Sequence, residues 1–145
     1  MIKETRMTKE TKMIKETKMI KNERLEREIA DAARAFGREE MALAPKSVSV
    51  NLRPRTIVVA LHEALPPAER DYAAEAAGRA LLVRLYAAAF DAVKKSLEIE
   101  VSRKVGRPVR RSQLRVVPKS GDSVILFALG ARSGRAGRRL RDRPP

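Results

Sequence analysis

The sequence predicts an α+β domain: an N-terminal helix, two β-hairpins forming an antiparallel sheet, and a long helix packed on one face. Three patterns carry this reading. Two short runs, Thr56 to Leu61 and Ser123 to Leu129, are apolar on both sides, as inner strands often are. Each run has a strand-like neighbour across a turn-forming segment, Arg53-Pro54-Arg55 or Pro118-Lys119-Ser120-Gly121-Asp122. Between the two pairs, Leu82, Tyr86, Phe90, Val93, Leu97 and Val101 recur every three or four residues, which is one face of a helix.

The chain opens on a six-residue repeat, MIKETR, MTKETK, MIKETK and MIKNER. Six residues advance a helix by about 600°, so successive copies land about 120° apart. Met1, Met7 and Met13 therefore make no stripe. Arg6/Glu10 and Lys12/Glu16 stand at i,i+4 in the weaker, basic-first order. Residues 1–22 are thus expected to be a basic extension, disordered or a frayed helix, outside the fold. Asn22 has the chemistry of an N-cap. After it, Leu25, Ile29, Ala32 and Phe36 form a helical stripe, with Glu23 and Arg27 as a well-ordered i,i+4 pair. Gly37 is the expected stop, unless Arg38 to Met41 adds a turn. The stripe covers about two heptads, too short for a coiled coil, so this helix should pack on its own sheet.

Ala44-Pro45-Lys46 punctuates the chain. Val48, Val50 and Leu52 then alternate with Ser47, Ser49 and Asn51, as in a half-buried strand. After the Thr56–Leu61 run, Leu65-Pro66-Pro67-Ala68-Glu69 marks a helix start, with Pro67 at the first helical position and Glu69 in the acid-favouring first turn. The helical run extends to about Lys104. Gly78 either divides it or permits close packing. Gly106 followed by Pro108 ends it. Ser112 to Val117 is the third strand and Ser123 to Leu129 the fourth. Residues 130–145 are an Arg/Gly-rich tail without a buriable pattern, expected to be disordered.

Composition narrows the chemistry. Apolar residues make up 43% of the 145, but aromatics only 3%, so the core should be aliphatic. There is no cysteine and one histidine, His62, so a thiolate or His-cluster metal site is excluded and no metal or cofactor is expected. No apolar run approaches the roughly 20 residues of a membrane-spanning helix, and no secretory leader is evident. A cytoplasmic location is expected. The formal charge is +14, with +4 on residues 1–22, +5 on residues 23–129 and +5 on residues 130–145. The ends are far more basic per residue than the middle, which favours anionic partners.

No pairing of side chains suggests catalysis. His62 stands beside Glu63 with no nucleophile near it in sequence. Glu98 and Glu100, two apart on a helix, face different sides. Glu69, Asp71 and Glu75 suit the start of a helix better than a metal. Ser120-Gly121-Asp122 is too short to cradle a phosphate. The strongest signal outside the core is cationic. Arg103, Lys104, Arg107, Arg110, Arg111 and Arg115 gather about one helix end and the next strand, and Arg132, Arg135, Arg138, Arg139, Arg141 and Arg143 fill the tail. The candidate anion-binding residues are Arg107, Arg110, Arg111, Arg132, Arg135, Arg138, Arg139 and Arg141. Lacking aromatics for base stacking, they would make non-specific phosphate contacts.

Several local motifs recur in one order. They are Val48 to Leu52; Ile57-Val58-Val59-Ala60-Leu61; Leu65-Pro66-Pro67-Ala68-Glu69-Arg70; Gly78-Arg79 before Leu81, Leu82 and Val83; Val105-Gly106-Arg107-Pro108-Val109; and Gly121-Asp122-Ser123-Val124-Ile125-Leu126-Phe127-Ala128-Leu129. Together they resemble the MpsC-like family, small bacterial domains named for the C component of a Na+-translocating membrane-potential-generating system. The resemblance covers about Glu23 to Leu129. The chain departs from it at Met41-Ala42-Leu43-Ala44-Pro45, where such domains have a Gly-x-Gly-Pro-like turn, at Pro66, where they have Thr, and around Val117-Pro118, where an acidic residue is usual. The resemblance supplies no catalytic residue. It implies a non-enzymatic soluble accessory or regulatory protein with a protein partner, a bicarbonate- or cation-linked membrane transport system, at the inner face of the membrane. Homo-oligomers are compatible with it. The alternative from charge alone is a non-specific nucleic-acid-binding module acting through the basic termini, with weak nucleic-acid or acidic-membrane contact.

Overall fold

The computed structural model describes residues 2–131, with side chains from Met19 onward. Helix α1 runs from Ile2 to Glu40, 39 residues. Asn22 is therefore interior to the helix and is not its cap. The repeat is rich in Lys, Glu and Met, good helix formers, and holds no Gly or Pro, so nothing in the backbone stops the helix at Asn22. Among the described side chains, Met19 to Arg24 are exposed and Leu25 is the first to pack against the core. Ile29, Ala32, Ala33 and Phe36 are buried. Gly37 stays within the helix and lies close enough to the sheet that a Cβ there would meet Leu43 Cβ and Leu61 Cδ1, each at 3.6 Å. The helix ends as Met41 and Leu43 both donate their amides to the Gly37 carbonyl, at 3.1 and 2.9 Å.

Four antiparallel strands follow in the order β1-β2-β4-β3, with β1 Ser47–Leu52, β2 Thr56–His62, β3 Val109–Val117 and β4 Asp122–Leu129. The two predicted hairpins are β1–β2 and β3–β4, and β2 and β4 are the inner strands. The third strand begins three residues earlier than its alternation suggests. Val109 pairs with Leu129, and a bulge between Val109 and Arg111 restores the register. That bulge breaks the period-two pattern that marks a strand in sequence.

The long helical run is divided. Helix α2 is Pro67–Arg70, a 3₁₀ turn covers Asp71–Ala74, α3 is Ala76–Val93 and α4 is Lys95–Val105. The first break falls at Glu75, which is extended (φ −114°, ψ 151°), three residues before Gly78. Gly78 serves close packing instead: a Cβ there would stand 1.9 Å from the Tyr72 carbonyl oxygen. Arg79 Nη1 donates to the Ala73 carbonyl at 2.8 Å and so satisfies a group that the break frees. The second break, at Lys94, is slight, since Lys94 itself remains helical (φ −66°, ψ −18°). Gly106 closes α4 in the left-handed conformation (φ 69°), as its sequence context implies.

Helices α1, α3 and α4 lie on one face of the sheet. Helix α1 covers β1, α3 covers β3, and α4 wedges between α1 and β3. Ile57, Val59 and Leu61 of β2, Ile125 and Phe127 of β4, and Leu114 and Val116 of β3 meet Leu82, Tyr86, Phe90, Leu97 and Val101 of the helices. Phe36 and Phe90 pack edge to face, with ring centroids 5.8 Å apart at 82°, which joins α1 to α3. Tyr86 donates its hydroxyl to Glu69 and so fixes α2 to α3. Burial, reinforced by that hydrogen bond and by the carboxylate's charge, holds the Tyr86 hydroxyl well above the usual tyrosine range.

Candidate interaction surface

Among the described residues, the second face of the sheet carries no helix. Along β2 and β4 the buried residues alternate with half-buried ones, and apart from Thr56, His62 and Asp122 at the strand ends the half-buried set is also apolar: Val58, Ala60, Val124, Leu126 and Ala128. The two-sided apolarity that marks these strands in sequence therefore serves the core on one side and an open surface on the other. Cross-strand register builds the surface in rows. Asn51, Val58, Leu126 and Gln113 form one row; Ser49, Ala60, Val124 and Arg115 form the next. The centre is thus apolar, the β1 margin is neutral and polar, and the β3 margin carries Arg111, Gln113 and Arg115. A depression of about 240 Å³ lies between Thr56, Ala128 and Leu126 and the β3 residues Arg111, Ser112 and Gln113.

Arginines also collect at one end of the sheet. The β1–β2 turn contributes Arg53 and Arg55, and the entry to β3 contributes Arg107, Arg110 and Arg111. The bulge leaves Arg110 and Arg111 both exposed although they are consecutive. The stem of Arg110 lies over Gly130, where an added Cβ would come within 3.2 Å of its Cγ. Arg107 has a different task. Its Nε donates to the Gly130 carbonyl at 3.0 Å and its Nη1 to the Pro54 carbonyl, so it ties the β1–β2 turn to the end of β4. Of the sequence-predicted anion-binding residues, the structure brings Arg110 and Arg111 together as exposed guanidinium groups. It commits Nε and Nη1 of Arg107 to backbone carbonyls. Arg132, Arg135, Arg138, Arg139 and Arg141 lie outside the described residues. Arg53 and Arg55 were readable only as turn residues, because their proximity to Arg110 depends on the strand order.

One contact joins residues far apart in sequence: Ser49 Oγ lies 2.9 Å from His62 Nε2 on the open face. Among the described residues no carboxylate bonds the other ring nitrogen, so the pair lacks the orienting group of a nucleophilic triad. The remaining acids are engaged or dispersed. Glu98 accepts from Ser112 Oγ at 2.7 Å, Asp122 accepts from the Glu63 amide at 2.8 Å, and Glu63 faces Lys46 at 3.5 Å. Glu39, Glu40 and Glu100 border a cleft of about 310 Å³ between α1 and α4. No group of three or more acidic or histidine side chains among the described residues is placed to hold a metal ion. No helix among them is long and apolar enough to cross a membrane.

Residues 21–131 match the family model described as Na+-translocating membrane potential-generating system (MpsC). No curated protein and no solved structure matches the chain.

Proposed function

We infer that this chain, which belongs to the MpsC family, is a non-enzymatic accessory protein that docks on a membrane-potential-generating system through the open face of its sheet. The observation that carries the reading is the surface itself. A row of half-buried Val, Leu and Ala between a polar margin and an arginine margin has the layout of a protein interface: an apolar centre that excludes water and a charged edge that fixes orientation. Arg111 and Arg115 suit a partner with acidic residues beside its apolar contact. On this reading the chain works at the inner face of the membrane as a peripheral component.

The experiment is complementation. Cells lacking the chain should show a lowered membrane potential with a voltage-sensitive dye. Wild type should restore it, and Leu126→Asp should not, while its circular dichroism and melting temperature stay close to wild type. Full restoration by Leu126→Asp would remove the open face from the function.

A second reading rests on a separate observation, the convergence of Arg53, Arg55, Arg110 and Arg111 at the end of β4, where the Arg-rich segment 132–145 follows. It assigns this end to non-specific phosphate contact. Binding to duplex DNA would then weaken steeply with salt through counterion release. Replacing Arg135, Arg138, Arg139 and Arg141 by Ser would reduce both affinity and salt slope. Salt-insensitive binding would contradict it.

A further inference from the structure

We propose that α3 pairs antiparallel with α3 of a second copy of this chain, through the helix face that points away from the sheet. Leu82, Tyr86 and Phe90 turn inward. On the far side, Leu81 and Leu85 are 50% and 56% exposed, and Ala88 and Ala92 continue the line outward. Their spacing is 4, 3 and 4, the a/d pattern of a helix–helix seam. Beyond the slight break at Lys94 the line meets the exposed Lys95 before Ile99, which is 51% exposed, so the apolar seam proper is Leu81 to Ala92. Scattered exposed apolar side chains need no explanation, but a periodic line opposite a helix's own core stripe is a second packing face.

The seam selects its occupant by size and by charge. In an antiparallel pair, each a position meets a d position of the other helix. With the two-fold axis passing between Leu85 and Ala88, Leu85 packs on Ala88 of the second copy and Leu81 on its Ala92. Every large side chain then meets a small one, which lets the helices approach at the close end of the usual 8–10 Å range. The same register sets Arg84 beside Asp91 of the second copy, and symmetry repeats the pair. These are the charged residues flanking the seam within α3, and both are exposed. Asp91 already holds Lys94 Nζ at 3.2 Å and, as a carboxylate, has acceptor capacity left for a guanidinium. A parallel pair would set this flank against the opposite one, where Ala89 and Ser96 carry no charge. The seam thus matches itself in one orientation. An 18-residue helix is about 27 Å long, so the contact falls toward the small end of specific interfaces and the dimer should be reversible with concentration.

Sedimentation equilibrium of the full chain, over roughly 5–500 µM at low salt, tests this directly against the affinities expected of small interfaces. The expected result is a monomer–dimer equilibrium. Arg84→Asp should weaken it by about tenfold or more, the double variant Arg84→Asp/Asp91→Arg should recover most of that loss, and Ala88→Glu, which sets a carboxylate against Leu85, should abolish it. Circular dichroism of each variant checks that the fold is intact. A chain monomeric over the whole range would overturn the proposal. So would a dimer indifferent to Ala88→Glu, or a charge reversal that the double variant fails to restore.

Discussion

At the residue scale, the start of α2 shows how a local substitution can be weighed. Pro66 occupies the N-cap (φ −59°, ψ 148°) with Pro67 after it, and no side chain accepts from the first-turn amides. A hydroxyl at the cap contributes about 0.5–2 kcal/mol, while the ring of Pro66 recovers part of that by stiffening the unfolded chain. The cap should win, so Pro66→Thr is expected to stabilise by about 0.5–1 kcal/mol in equilibrium urea unfolding. A lower midpoint would show that the ring is worth more than the cap. Tyr86 gives a pH signature. Its folded pKa is raised above the unfolded value near 10, chiefly by burial and then by its hydrogen bond to Glu69. Between those two values the folded state holds the proton more tightly, so stability is fully present below the ordinary tyrosine pKa and declines as pH climbs above it. Melting temperature should fall through alkaline pH in the wild type and more shallowly in Tyr86→Phe. Parallel curves would place the alkaline sensitivity elsewhere. Both residues were visible in sequence as a helix start and a core position, but the Tyr86–Glu69 contact was not, since it spans 17 residues and a break in the helix.

At the element scale, the sheet and the core stripe were legible and the helix boundaries were not. Strand ends are marked by Pro, Gly and alternation, which act locally. The division at Glu75 has no local mark: Ala73, Ala74, Ala76 and Ala77 all favour helix, and the break is held by Arg79 on the Ala73 carbonyl and by Tyr72 backbone over Gly78. Tertiary contacts overrode propensity there. At Asn22 the opposite occurred. A residue with capping chemistry sits inside α1 because its neighbours propagate helix on both sides. The open sheet face was half-legible: two-sided apolar strands announce inner positions, but only the packing tells which side stays uncovered. For α1 itself, Leu25 is the first of the described side chains to pack against the core, and Met19 to Arg24 are exposed. Removing residues 1–21 should therefore cost helical circular dichroism yet leave the melting temperature within a few degrees, because the repeat carries no apolar stripe to bury. Loss of cooperative unfolding would mean that the repeat belongs to the core.

At the scale of the whole molecule, two faces stand out from a single core. The sheet presents an apolar surface with an arginine margin to one side, and α3 presents a Leu/Ala seam to the other. The two are on opposite sides of the core, so a pair of chains joined through α3 would keep both sheet faces available to a membrane partner. The charge of +14 adds long-range attraction to an acidic surface without fixing which face docks. The central claim is that the open face does. The direct measurement is photo-crosslinking in living cells, with a photoreactive side chain placed at Ala60 in the middle of that face or at Leu81 on the α3 seam. The account predicts an adduct from Ala60 to an integral-membrane component of the potential-generating system, and an adduct between two copies of this chain from Leu81. No membrane adduct from Ala60, with one from Leu81 instead, would contradict it.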